Sequence, residues 1–358
     1  MRPARRTTYR PGREADFAAC IRTWRASLDG YLSRLGQPPA PDDLGPLRRL
    51  LGHTQSTDPD RFWVAVTRAA DGGPDGGPDG GPDGGTGAQD GQDGAPERVV
   101  GFASATVRES LWFLAMLFVE PDVQGEGIGA ALMDRAQAGR DVVPGGPAVP
   151  GPDAPLDTGI TTWGMGTDTA QPISNGLYAR RGMLPRVPVW RLSGEPRRWS
   201  AIPPPPTTLE SVPFEALAAD GRDGPRRLAE AVDALDREIV GVAHPRDHAY
   251  LRRDGRTGFL VRDRVTGRAL GYGYGTSVGR LGPVAALDPA LHPAILGTIV
   301  RETPTLGPVA IWVPGTAAEA TRALLDAGLR FDGFPALICW SSATHPFERY
   351  LPISLALV

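Results

Sequence analysis

The sequence has no lysine, a single asparagine and only two cysteines among its 358 residues. All 38 basic residues are therefore arginines, which we attribute to codon usage and not to function. Cys20 and Cys339 are too few to build a disulfide framework, so the class of small secreted disulfide-rich domains is excluded. No apolar run approaches the roughly 18–20 residues of a membrane span, and no signal-peptide core follows the first methionine. We therefore expect a cytoplasmic protein without a membrane partner.

The charge is uneven along the chain, although its net value is only −3. Residues 71–97 carry six aspartates and Glu97 but no arginine, so the remainder of the chain is mildly basic. A mildly basic body suits a polyanionic small ligand, whereas nucleic-acid binding would need a concentrated basic stripe, which is missing. The Gly/Asp/Pro repeat within residues 71–97 cannot bury apolar surface, and we expect a disordered hairpin loop there.

A glycine-rich turn is the most informative feature that the sequence does contain. The apolar run at residues 111–119 is typical of a strand, and a helical pattern follows the turn Gln124-Gly125-Glu126-Gly127-Ile128-Gly129-Ala130. Glycines leave backbone N–H groups accessible, and a helix start adds unpaired N–H groups and the positive end of its dipole. The sequence therefore predicts a site for an anionic phosphate group.

Two common phosphate motifs do not fit this turn. It is not a P-loop, because no Gly-Lys-Ser/Thr follows, and no acidic residue ends a second strand at the distance that a dinucleotide fingerprint requires. The spacing Gln124-x-x-Gly127-x-Gly129, after a strand that ends in Val-x-Pro, resembles the acyl-CoA pyrophosphate loop of the GNAT superfamily of N-acyltransferases. An ordinary strand-to-helix turn is the alternative reading of this segment.

A second segment is similar to the fourth helix of the same superfamily. In Asn175-Gly-Leu-Tyr178, a spacing of three places Asn175 and Tyr178 on one helical face, and Gly182 follows as a C-cap would. Asn175 is the only asparagine of the chain. The alternative is that Asn175 is a plain surface residue and Tyr178 a core aromatic.

The resemblance implies an α/β (α+β) fold in which each domain is a mixed, splayed β-sheet flanked by helices. It implies acetyl-CoA as cosubstrate and direct attack by a small-molecule primary amine. Tyr178 would be the general acid that protonates the departing thiolate. The cofactor would be bound by Asn175 and by residues in and around the glycine-rich turn. These are Leu117, Phe118, Val119, Gln124, Gly125, Glu126, Gly127, Ile128, Gly129 and Ala130. Position 126 is often basic in the superfamily, so Glu126 is a departure that puts cofactor affinity in question. Glu109, Glu120 and His53 are candidate bases, and ordered water is the alternative.

The second half of the chain repeats the element order of the first. Pro203–Pro206 is a stiff linker, and we predict domains at 1–200 and 201–358. The alignment places Ile295 at the Gly127 position, while Thr321 and Leu324 replace Asn175 and Tyr178. We therefore expect a degenerate second domain that does not bind CoA.

No metal site is expected from the sequence. Asp236 and the stretch His244–His248 form a polar cluster, but Pro245 interrupts the helical spacing that paired histidine ligands use. Tyr272 and Tyr274 alternate along a predicted strand and are most simply sheet-face residues.

Other functions remain open at this stage. The main alternative to an enzyme is a non-catalytic acyl-CoA sensor or interaction protein on the same fold, and a nucleotide-binding protein is a third reading. The sequence leaves a monomer and a homodimer equally open.

Overall fold

The computed structural model describes residues 7–68, 97–138, 159–342 and 345–357. The helices are α1 (Phe17–Arg34), α2 (Gly45–Thr57), α3 (Ile128–Ala138), α4 (Pro172–Ala179), α5 (Phe214–Ala219), α6 (Gly224–Ile239), α7 (Pro245–Arg253), α8 (His292–Glu302) and α9 (Ala318–Asp326). The strands are β1 (Thr7–Pro11), β2 (Phe62–Arg68), β3 (Glu97–Arg108), β4 (Leu111–Val119), β5 (Thr162–Asp168), β6 (Leu184–Gly194), β7 (Leu209–Pro213), β8 (Thr257–Asp263), β9 (Ala269–Gly275), β10 (Leu281–Ala286), β11 (Val309–Pro314), β12 (Arg330–Phe331), β13 (Ala336–Trp340) and β14 (Tyr350–Leu351). The predicted disordered loop, except for Glu97, lies outside the described residues.

The described chain forms two compact units. The first takes its residues from 1–55, 59–104 and 117–147, and the second from 56–58, 105–116 and 148–358. These units do not coincide with the predicted domains 1–200 and 201–358, because β5, α4 and β6 belong to the second unit. The difference arises because β5 and β6 pair with a strand from the end of the chain, which no local pattern reveals.

The first unit contains β1, β2, residues 97–104 of β3 and residues 117–119 of β4, in the strand order β1-β2-β3-β4. β2 is antiparallel to β1 and to β3, with Phe62 opposite Ser104. Phe62 is fully buried, and its ring lies 5.9 Å from Phe17 on α1 and 6.4 Å from Phe102 on β3. The apolar residues of β2 and β3 therefore form a core with α1 and place the end of β4 beside it.

The second unit contains two sheets. In one, the order is β4-β5-β13-β6-β11, and β12 also pairs with β6. β5 runs parallel to β4 over Leu111–Leu114 only, and β13 is antiparallel to both β5 and β6. β13 thus brings Cys339 opposite Met165 on one side and Pro185 on the other. This strand was not predicted from the sequence, because a five-residue apolar run does not specify its partners.

The second sheet has the order β14-β10-β9-β8-β7, with all neighbours antiparallel. α8 packs against β9 at glycine positions. A Cβ atom added at Gly273 would meet Ile299 Cδ1 at 2.6 Å and Ile295 Cγ2 at 2.8 Å. The lack of side chains on this face of β9 therefore lets the helix approach closely. The expected mixed, splayed sheets flanked by helices are confirmed.

Candidate active site

The predicted phosphate loop lies between β4 and α3. Residues 124–127 are exposed, and a Cβ atom added at Gly125 or Gly127 would have no heavy atom within 4 Å. Gly125 has φ +87° and Gly127 φ +82°, values that residues with a Cβ atom rarely adopt. The two glycines therefore create a turn with open space on its surface.

Contacts at both ends of the loop fix its position. Gln124 donates a hydrogen bond of 2.8 Å from Nε2 to the carbonyl oxygen of Val119, at the end of β4. The carbonyl oxygen of Gly127 accepts from the N–H of Ala131 at 3.0 Å, so helical bonding starts at Gly127. Ile128 is buried and anchors the first turn of α3. The residue types of the loop thus serve its geometry: Gln124 ties it to the strand, and Gly127 starts the helix.

The remaining predicted cofactor residues of this unit surround the loop. Leu117, Phe118 and Val119 are half-buried at the end of β4, where the ring of Phe118 stacks on Phe102 at 5.7 Å. Gly129 and Ala130 are half-buried in the first turn of α3. The backbone of these residues therefore borders the same exposed turn.

Acidic side chains near the loop differ in their surroundings. Glu126 is exposed, as expected for a side chain that points away from a bound anion. Glu120, a candidate base, is in an ion pair with Arg98, whose guanidinium also lies 3.8 Å from Asp122. The side chain of Glu120 is therefore engaged with Arg98 at the end of β4.

Asn175 and Tyr178 lie together on α4 in the second unit. Nδ2 of Asn175 donates to the carbonyl oxygens of Asp168 at 3.1 Å and Thr169 at 3.3 Å, which ties the helix to the end of β5. Oδ1 of Asn175 is a buried acceptor without a partner in the described part of the chain. Oδ1 of Asn175 can therefore accept a hydrogen bond from a group outside the described residues.

Tyr178 is buried, with 5% of its surface exposed. Burial raises the pKa of its hydroxyl well above 10, Cys339 on β13 acts in the same direction, and a hydrogen bond with the Ser174 side chain acts against it. Gly182 has φ +78°, and the N–H of Met183 bonds to the carbonyl oxygen of Tyr178 at 3.1 Å. The predicted C-cap is therefore present, and it closes the helix directly after Tyr178.

The other two candidate bases are placed differently. Glu109 lies in the second unit with φ +48°, bonded to Arg237 Nη2 at 2.7 Å and to the N–H of Ala243 at 3.1 Å. The bond from Arg237 is the main cause that lowers the pKa of Glu109. His53 is buried on α2 in the first unit. Glu109 is thus engaged in structure and is poorly suited to take up a proton.

The described residues of the second half include no counterpart of the loop. A 3₁₀ turn at Pro289–Leu291 leads directly into α8, whereas residues 124–127 separate the equivalent turn at Pro121–Val123 from α3. Ile295, aligned with Gly127, is fully buried in the hydrophobic core. In the second half, the backbone aligned with the phosphate loop of the first unit therefore lies inside a packed helix.

A buried polar cluster in the second unit was not anticipated in its full extent. α7 begins at Pro245, and His244 is its N-cap, so the rings of His244 and His248 lie 4.7 Å apart. Both histidines contact Asp236 on α6. Pro245 does not keep the two histidine rings apart, because proline fits the first helical position. The hydroxyls of Tyr272 and Tyr274 also join this cluster.

The comparisons with known proteins agree with the fold. Residues 88–182 match the family model described as an acetyltransferase (GNAT) domain, and this segment belongs to the GNAT superfamily. No curated protein matches the chain in sequence. Among solved structures, a proposed acetyltransferase from Pyrococcus horikoshii superposes with a TM-score of 0.62 at 14% identity, covering 98% of this chain and 96% of that one.

Two further structures extend this likeness over nearly the whole chain. A GCN5-related N-acetyltransferase from Sphaerobacter thermophilus has a TM-score of 0.54 at 16% identity and covers 93% of this chain and 95% of that one. A tandem GNAT protein from the clavulanic acid biosynthesis pathway has a TM-score of 0.50 at 14% identity. The match covers 95% of this chain and 100% of that one. At these identities the likeness concerns the fold. Among the described helices, none has the length and apolarity needed to cross a membrane.

Proposed function

We propose that the chain is an acetyl-CoA-dependent N-acyltransferase that transfers an acyl group to a primary amine by direct attack. The observation that carries this proposal is the exposed turn with positive-φ glycines that ends at the first residue of α3. Such a turn offers N–H groups and a helix dipole to an anion, and Cβ atoms do not block it. A pyrophosphate is the anion that this superfamily brings to that loop.

In this proposal the loop and its flanks bind the cosubstrate. Residues 125–130 would present N–H groups to the pyrophosphate, while the backbone of residues 117–119 would pair with the pantetheine amides. Gln124 acts indirectly, because its side chain is bonded to Val119 and holds the turn against the strand. Asn175 would receive a donor of the cofactor at Oδ1, the atom left without a partner among the described residues.

Tyr178 is proposed as the general acid for the departing thiolate. The raised pKa keeps the hydroxyl protonated at every pH at which the enzyme would work. Because an ordinary thiol has a pKa of about 8.5, full transfer from such a tyrosine is uphill. Its main contribution would therefore be a hydrogen bond to the developing thiolate charge, with the proton following as the bond breaks.

The base that deprotonates the amine is proposed to be water. Glu109 is held by Arg237, which lowers its pKa and weakens it as a base, and the side chain of Glu120 is occupied by an ion pair with Arg98. The acceptor is proposed to be a small molecule, bound by residues of α1 and α2, because acceptor pockets in this superfamily come from that region.

The second half is proposed to be a degenerate copy without a cofactor site. Its equivalent helix starts without a glycine loop, and Ile295 and Ile299 pack against β9. We expect one CoA per chain in a titration of the full-length protein. Two bound equivalents would show that the second half has retained a site.

Turnover with acetyl-CoA and a panel of amines, followed as free thiol, tests the function. The panel would contain amino acids, polyamines and aminoglycosides, with the matching alcohols as controls. An amine-dependent release of thiol supports the enzyme. CoA binding without turnover for any amine would instead support the non-catalytic sensor, and preferential binding of ATP or NAD would support the nucleotide-binding alternative.

A further inference from the structure

Three donor atoms converge in the interior of the second unit. Oδ2 of Asp236 lies 3.0 Å from Nδ1 of His244 and 2.8 Å from Nε2 of His248. The three ligand atoms all lie within 4.8 Å of one another. The side chains are almost completely enclosed, since the exposed fraction is 0% for Asp236, 2% for His244 and 3% for His248. The cluster belongs to neither the loop nor α4.

We propose that Asp236, His244 and His248 bind a divalent transition-metal ion of the zinc type. Two imidazole nitrogens and one carboxylate oxygen are a donor set that suits zinc. In a tetrahedral site with bonds of about 2.0 Å, ligand atoms are about 3.3 Å apart. Oδ2 of Asp236 and each histidine nitrogen would therefore have to separate by a few tenths of an ångström to admit the ion, and the two histidine nitrogens already lie within 4.8 Å of each other.

The side chains around the three ligands are arranged as a metal site requires. The hydroxyl of Tyr272 donates to Oδ1 of Asp236 at 2.6 Å, which leaves Oδ2 directed at the histidines. Nδ1 of His248 lies 2.8 Å from the hydroxyl of Tyr274, which fixes the ring with Nε2 toward Asp236. Metal-binding histidines almost always have such a partner on the second ring nitrogen, and ligating carboxylates are held in the same way.

Rigid supports hold each ligand. Asp236 lies near the end of α6, and His244 and His248 lie one turn apart at the start of α7. α7 is anchored by the neighbouring Asp247, whose carboxylate makes two bonds of 2.7 Å to the buried Arg108. Ligands on supported helices lose little conformational entropy when an ion binds, which favours a preformed site.

Open space lies next to one ligand of the cluster. A cleft of about 170 Å³ borders His248 and is lined also by Phe214, Val232, Asp233, Pro245 and Arg252. Three protein ligands leave one position of a four-coordinate ion for water, as in zinc sites that bind a further ligand. The cleft would let that water exchange with solvent.

The experiment measures metal binding by the full-length protein without an affinity tag. After dialysis against a weak chelator, zinc content is determined by mass spectrometry, and zinc affinity by competition with a chromophoric chelator. We expect one equivalent per chain, and a visible absorption spectrum of tetrahedral Co²⁺ after cobalt substitution. Tyr274→Phe should weaken zinc binding by about 10- to 100-fold, because it removes only the support of His248.

Asp236→Asn and His248→Gln should abolish the stoichiometric site. The matched control is His292→Gln, which removes a fully buried histidine of the same unit outside the cluster and should leave the affinity unchanged. Wild-type protein that binds no zinc would show that the cluster is only a hydrogen-bonded network and would overturn the proposal. Equal loss in His292→Gln and His248→Gln, or cobalt bound without a tetrahedral spectrum, would also overturn it. If a ligand variant fails to fold, the absorption spectrum of the cobalt-substituted wild-type protein still tests whether the tetrahedral site exists.

Discussion

Arg68, the last residue of β2, is the ladder partner of Glu97, the first residue of β3, and their side chains form an ion pair of 3.1 Å. The residues between them can therefore be replaced by a two-residue hairpin without moving either strand. We expect a variant with Asn-Gly in place of residues 69–96 to keep its activity and to be slightly more stable, because a shorter loop costs less closure entropy. Urea unfolding and acetyl-CoA turnover measure the two outcomes.

A scrambled loop of the same length and composition is the control for this deletion. Equal turnover in all three proteins would confirm that the loop is dispensable. Loss of turnover in the deletion variant but not in the scrambled one would assign a role to the acidic composition.

Gly127→Ile should weaken acetyl-CoA binding by at least tenfold, which corresponds to about 1.4 kcal/mol. The added Cβ meets no atom of the protein within 4 Å, so the effect arises from the φ of +82° and from the side chain at the ligand surface. A left-handed backbone costs a residue with a Cβ atom about 1–2 kcal/mol, so the turn itself should also shift. Calorimetric titration with acetyl-CoA provides the measurement.

Gly221→Ile separates these two effects. Gly221 also has a positive φ, of +70°, with no heavy atom within 4 Å of an added Cβ, but it lies between α5 and α6. It should reduce stability by a similar amount and leave the affinity for acetyl-CoA unchanged. An equal loss of affinity in both variants would mean that Gly127 acts only through stability.

Tyr178→Phe should lower kcat by about 10²- to 10⁴-fold and change KM for acetyl-CoA little, because an acid acts in the transition state. Since burial raises its pKa well above 10, ionisation of Tyr178 should not cause a loss of rate below pH 10. Tyr9→Phe is the control, since Tyr9 belongs to the first unit and its ring contacts Arg135 of the same unit. A wild-type kcat in Tyr178→Phe would show that Tyr178 only packs in the core and is not the general acid.

Asp247→Ala should lower the free energy of unfolding by about 3–5 kcal/mol. Asp247 and Asp58 flank the guanidinium of Arg108, and all three side chains are at most 7% exposed. The variant removes two charge-assisted hydrogen bonds and leaves Nε and Nη2 of the buried Arg108 without their carboxylate acceptor, while Asp58 still balances the charge. Glu230→Ala is the matched control, because the pair of Glu230 with Arg226 is exposed and should contribute less than about 1 kcal/mol. Urea unfolding of both variants would show the contrast, and equal losses would contradict it.

Stability should fall by about 2 kcal/mol between pH 7 and pH 5 through His292 alone. Burial lowers the pKa of this histidine to about 4, whereas the unfolded chain has the ordinary value of 6.5. Below pH 6.5 the unfolded state therefore binds a proton that the folded state refuses, and the stabilisation is lost as the pH falls toward 4. His292→Gln should lose about 2 kcal/mol less than the wild type over the same interval. An identical pH dependence of the two proteins in urea unfolding would contradict this reading.

The sequence predicted local structure well where a pattern repeats within a few residues. The strand before the loop, the helix of Tyr178 and the glycine that closes it follow from apolar runs, a spacing of three and a single residue with a positive φ. These features depend on sterics and hydrogen bonds between near neighbours. They could therefore be read from residues 111–182 alone, including the superfamily of that segment.

The tertiary structure decided which distant segments meet. β13 pairs with β5 and β6, and so Cys339 lies close enough to Tyr178 to raise its pKa. Asp236 meets His244 and His248 across the short connection between α6 and α7, but the hydroxyls of Tyr272 and Tyr274 reach this cluster from β9, much further along the chain. By itself the sequence determined the turn, the helix and their chemistry. The partners of β13 and the burial of the polar cluster were left to long-range packing, because apolar contacts are non-directional and many pairings satisfy the same local pattern.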